Sequence, residues 1–78
     1  MRFPRKEVVE ALRREYPAGT LVELVEMDDA FAPPVGTKGR VTCIDDVGTI
    51  FVAWQTGSGL GVAYGVDRIR KVVNMDVR

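Results

Sequence analysis

From Thr20 to the end of the chain, apolar residues recur at every second position in short runs, and glycine or proline punctuates the runs. A period of two is the spacing of a half-buried strand, so this stretch can fold only as a set of short strands packed on one face. Leu21 to Met27 forms the first run, with Val22 and Leu24 on one side and Leu21, Val25 and Met27 on the other. Arg40 to Ile44 follows, with Val41 and Cys43 in phase. Thr49 to Trp54 puts Ile50, Val52 and Trp54 on one face and Phe51 and Ala53 on the other. Leu60, Val62 and Tyr64 alternate next, and a last short strand surrounds Ile69. Between the runs, Asp28 to Gly36 contains Pro33-Pro34, which cannot enter a sheet interior. Gly36 and Gly39 bracket Thr37-Lys38 as a turn, Asp45 to Gly48 is a tight turn, and Gln55 to Gly59 makes another.

Residues 1–16 follow a different period. Val8, Val9, Leu12 and Tyr16 share one face at helical spacing, with Lys6, Glu7, Glu10 and Arg14 opposite. Pro4 suits a first helical turn, and Pro17 with Gly19 ends the segment. The prediction is a mainly β fold, a five-stranded barrel over residues 20–73 with an N-terminal α-helix over 1–16 and a frayed tail over 74–78, in a single domain. The helix stripe needs an apolar receiver. If the barrel interior is filled by the alternating set, that receiver is the outward set Leu21, Val25, Met27 and Phe51.

Composition bounds the chemistry. Seventy-eight residues hold one core, and a domain this small is marginal enough for dimerisation to help it. No apolar stretch approaches a membrane span, and residues 1–17 carry charge throughout rather than a signal sequence, so a cytoplasmic location is expected. The sequence has no histidine and one cysteine. A cysteine nucleophile therefore lacks an imidazole base, and Cys43, in phase with Val41, is expected inside; no enzyme activity and no cofactor are predicted. Glycines 57, 59, 61 and 65 lack the lysine and the strand–loop–helix setting of a phosphate loop. Glu26, Asp28, Asp29, Asp45 and Asp46 lack the alternating spacing of a calcium loop, so no metal site is predicted either.

Eleven basic residues balance eleven acidic ones. Residues 1–16 hold five basic and three acidic groups, whereas residues 17–78 hold six and eight. The strand region is thus mildly acidic, which opposes phosphate binding. A local stripe of Arg40, Arg68, Arg70 and Lys71 remains as a nucleic-acid candidate, with a solvated sheet edge as the plainer reading.

Arg2-Phe-Pro4, Arg14-Glu-Tyr-Pro-Ala-Gly-Thr20, Val22-Glu-Leu24, Met27-Asp-Asp29, Ala32-Pro-Pro34, Gly36-Thr-Lys-Gly39, Val52 with Trp54, and Gly65-Val-Asp67 form a set spread over nearly the whole chain. On these residues the chain resembles the small bacterial family known as domain of unknown function 4314. The resemblance implies an SH3-like barrel and an origin among mobile-element or phage-related genes, and it implies no activity. Two positions depart from the family pattern. Trp54-Gln-Thr-Gly57 stands where relatives favour Trp-Asp-Asn-Gly, and Tyr64 stands where a proline is common.

In peptide-binding SH3 domains, aromatics from the first long loop, the third strand and the turn before the last strand make a groove for extended ligands. The analogous residues here are Phe31, Trp54 and Tyr64, with Asp28 and Asp29 placed to pair a basic ligand residue. Trp54 shares phase with Ile50 and Val52, and Tyr64 with Leu60 and Val62, so core packing comes first for both and a ligand surface second. The functional expectation is a non-catalytic protein-binding module, with a nucleic-acid accessory role as the alternative.

Overall fold

A computed structural model of the chain describes residues 4–72. One helix, α1 (Lys6–Glu15), precedes five strands: β1 (Leu21–Glu26), β2 (Lys38–Ile44), β3 (Thr49–Trp54), β4 (Val62–Ala63) and β5 (Arg68–Lys71). All pairings are antiparallel, in the order β4-β3-β2-β1-β5. Four strands, β1 to β4, thus meander, and the last returns to lie beside the first. The mainly β fold with an N-terminal helix is as the periodicity predicts, and this order is consistent with an SH3-like barrel. The sheet is open, because β4, at one edge, is only two residues long.

The alternating set fills one side of this sheet. Val22 and Leu24 of β1, Val41 and Ile44 of β2, Ile50, Val52 and Trp54 of β3, and Val62 of β4 are all buried. Val9 and Leu12 of α1 join the same cluster. Here the structure corrects the expected docking of the helix. The inner face is not filled by the strands alone, since β4 and β5 are too short to wrap over it. The helix closes that face instead of lying on the outside. Each of its two buried side chains contributes about 1.5–3 kcal/mol. Of the outward set, Leu21, Val25 and Phe51 stay half-buried on the far face, and only Met27 packs against the core. The 55–61 loop lies partly over that face, where a Cβ on Gly61 would stand 3.3 Å from the Phe51 ring.

The helix has no side-chain cap at its start; the carbonyl of Arg5 accepts the amides of Val8 and Val9 instead. Tertiary contact therefore has to hold it. Arg13 supplies a specific part of that contact. Its Nε and Nη2 donate to the carbonyl oxygen of Ile44 at 3.2 and 3.0 Å, and Nη2 reaches Asp46 Oδ1 at 2.8 Å. One guanidinium fork thus ties the helix to the end of β2. At the other end Tyr16 leaves helical geometry (φ −123°, ψ 65°), as a residue before proline must.

Two further expectations change. Cys43 is exposed, not inside. The register of β2 on β3 shifts between Val41↔Val52 and Cys43↔Phe51, which is a bulge. One extra residue reverses the phase, so Val41 and Ile44 are buried while Thr42 and Cys43 face out. Gly39 is not the end of a turn but lies within β2, opposite Trp54. A Cβ there would come within 2.6 Å of Val52 Cγ1 and 2.7 Å of the Ala53 carbonyl oxygen. Glycine lets β2 and β3 approach at this point. Gly36 does make the turn, at φ +93°. The tail expected at 74–78 lies outside the described residues.

Candidate functional site

The loop between β1 and β2 is organised by its own side chains. Asp29 Oδ1 accepts the amide of Phe31 at 2.8 Å, and the Asp29 carbonyl accepts the amide of Ala32 at 3.0 Å. Asp29 competes for the backbone as short carboxylates do, folding a local turn. On the return side, the Pro34 carbonyl accepts both the amide and the hydroxyl of Thr37, at 3.0 and 2.6 Å. Gly36 donates to the Leu24 carbonyl and Leu24 to the Thr37 carbonyl, each at 2.8 Å, so the base of the loop is stitched as a ladder. Pro33 is buried. Between these fixed points, Phe31 stands 84% exposed and Val35 72% exposed. Among the described residues, neither Asp28 nor Asp29 has a Lys or Arg within ion-pair distance.

Trp54 is elsewhere. It is 3% exposed, and its indole Nε1 donates to the Leu60 carbonyl at 2.9 Å. A buried indole with its polar atom satisfied is a core residue and offers a ligand no surface. Trp54 is buried in phase with Ile50 and Val52.

The same argument fails for Tyr64, which is 48% exposed. The strand stops at Ala63 because the chain turns there. The amides of Val66 and Asp67 both reach the Ala63 carbonyl, at 3.1 and 2.9 Å, and the Ala63 amide donates to Asp67 Oδ2 at 2.9 Å. Gly65 takes φ +80°. Gly65-Val66-Asp67 is thus a self-fastening turn, and alternation cannot be carried through it to Tyr64.

Tyr64 faces a groove of about 380 Å³ between the last turn of α1 and the segment from Val62 to Ile69. Buried Leu12, Ile50 and Val62 line it, as do Tyr16, Glu15, Asp67 and Arg68. Phe31 is not among its walls. The structure therefore separates the five residues expected to form one ligand site. Asp28, Asp29 and Phe31 share a loop, Trp54 is in the core, and Tyr64 belongs to this groove. Tyr16 is the groove residue that sequence reasoning missed. It ends the helical stripe beside Pro17, and its place in the groove depends on where the β4–β5 turn lies. Burial, reinforced by the Glu15 charge, raises its phenol above the ordinary 10.0. The Lys71 ammonium sits 5.3 Å from the centroid of its ring.

Two residues of the basic stripe, Arg68 and Arg70, are paired with carboxylates. Arg70 donates twice to Glu23 Oε1, at 3.2 Å from Nε and 2.7 Å from Nη2. Arg68 stands 3.6 Å from Glu26. Arg40 donates to the Gly19 carbonyl at 3.0 Å. The two ion pairs follow from register, since Glu23 lies opposite Arg70 and Glu26 opposite Arg68 across β1 and β5. Asp45 works inside its own turn, where Oδ1 accepts the amides of Val47 and Thr49 at 3.1 and 2.8 Å. No helix among the described residues is long and apolar enough to cross a membrane.

A model of the family described as domain of unknown function (DUF4314) matches residues 5–72, and the chain belongs to this family. No curated protein and no solved structure is similar enough to be matched.

Proposed function

We propose that this member of the DUF4314 family is a non-catalytic binding module that contacts another protein through the Phe31-bearing loop. One observation carries the reading. A phenyl ring is held in water on a loop whose backbone is fixed on both sides of it. A large apolar side chain on a preorganised loop loses little entropy on binding and gains most of its burial from the partner. Asp28 and Asp29 beside it select a partner with basic residues around an apolar pocket. The free thiol of Cys43 suits a reducing compartment, and the family resemblance suits a bacterial mobile-element protein. A nucleic-acid role is the second reading. Carboxylate partners on Arg68 and Arg70 count against it.

Affinity capture from native lysate tests the reading, with the wild-type chain and a Phe31→Ala/Asp28→Lys variant as baits. Asp28 is the right carboxylate to change, because Asp29 also holds the turn. The expected outcome is a protein retained by the wild type and lost from the variant. Equal retention by both baits places the contact elsewhere. Retention of DNA or RNA alone, lost steeply with salt, favours the second reading.

A further inference from the structure

The groove between α1 and the β4–β5 turn is a second surface that the loop does not use, and its chemistry is specific. Its floor is apolar, from Leu12 and Val62, and Tyr64 stands at its side half in water. Its unmatched charge is negative. Among the described residues, no Lys or Arg lies within 4.0 Å of the Glu15 or Asp67 carboxylate, whereas Arg68 already faces Glu26. Asp67 commits Oδ2 to the Ala63 amide, and among the described residues its Oδ1 takes no side-chain hydrogen bond or ion pair. The neighbouring ring shows what this environment attracts, because Tyr16 carries the Lys71 ammonium over its face. The Tyr64 ring has no such cation among the described residues.

We infer that this groove takes an extended, cationic segment of the partner protein. An aliphatic side chain of that segment rests on Leu12 and Val62. An arginine or lysine head lies between the Tyr64 ring and the carboxylates of Glu15 and Asp67. The volume, about 380 Å³, is near the lower end of ligand pockets and suits one or two side chains rather than a whole helix. Ring face and carboxylate act on the same cation, and an acidic segment would leave two negative groups facing its own charge. The inference rests on the protein-binding reading above and names the chemistry of the bound segment.

The test is a titration of the full chain with short blocked peptides that pair leucine with arginine, lysine, glutamine or glutamate. Binding is followed by ¹H–¹⁵N correlation spectra. Arginine and lysine peptides are expected to shift the amides of Glu15 and of residues 64–68, and the other two sets are not. Tyr64→Ala is expected to weaken the arginine peptides about tenfold, while Tyr64→Phe, which keeps the ring face, binds as the wild type does. Glu15→Gln is expected to narrow the preference for arginine over glutamine. Spectra with native dispersion establish that each variant is folded. Equal binding of the glutamate set, or no shift at residues 64–68 with any peptide, overturns the inference. Shifts confined to residues 28–35 also overturn it, yet leave the binding module standing. A wild-type bait that retains no protein from lysate defeats the module reading instead, whatever the peptides do.

Discussion

Two loops of this molecule are each organised by an aspartate, and they end in opposite places. In the β2–β3 turn, Asp45 Oδ1 takes two backbone amides, and the turn folds back on the protein. Gly48 is buried there at φ +85°, close enough to Pro4 that an added Cβ would stand 2.8 Å from its Cγ. Arg13 ties the same region to the helix. In the β1–β2 loop, Asp29 Oδ1 takes one amide, and the chain carries Phe31 and Val35 out into water. An aspartate organises each turn, yet Gly48 is buried in one and Phe31 stands in water in the other, which separates two uses of a loop. The first fastens the helix to the sheet. The second presents apolar surface that the fold does not consume, and the proposed contact rests on that surface.

The comparison breaks most visibly at Gly48. Gly48→Ala forces a side chain into the left-handed region and against Pro4, and is expected to cost about 2 kcal/mol. For a domain of this size the melting temperature falls by roughly 10 °C. A shift of only a degree or two would mean that the turn is not fastened as described. Next comes Arg13→Ala, which removes the fork on Ile44 and is expected to cost about 1 kcal/mol by denaturant unfolding. Asp46→Ala should cost less, because that carboxylate lies in water. Equal losses would assign the clamp to the ion pair instead of the carbonyl.

How much of this was legible follows from the same elements. The bounds of β3 were readable to the residue, because alternation runs unbroken from Thr49 to Trp54. Cys43 was misread because a bulge is a property of pairing, and nothing in Arg40 to Ile44 alone announces the extra residue. Tyr64 was misread because Asp67, three residues on, bends the strand away at Ala63. The helix position needed the lengths of β4 and β5, which leave an open inner face. Phe31 and its two aspartates were visible as a loop, yet nothing in the residue types alone says that Pro33 is buried while the ring stands in water.

The smallest effect concerns Tyr16. Its raised pKa comes first from burial and then from Glu15, so the fold favours the neutral phenol. The associated stability is complete below pH 10 and is lost as pH rises through the raised value. Phenolate absorbance in a Tyr64→Phe background is expected to show a midpoint above 10.0. A midpoint at or below that value would put Tyr16 in open water and remove one wall of the groove.

The most direct test of the exposed loop is the thermal unfolding of Phe31→Ala. A ring that belongs to a partner's surface costs the isolated chain almost nothing when removed, and the melting temperature should match the wild type within about a degree. A fall of several degrees would show that the phenyl group packs within its own fold, and the contact site would then have no centre.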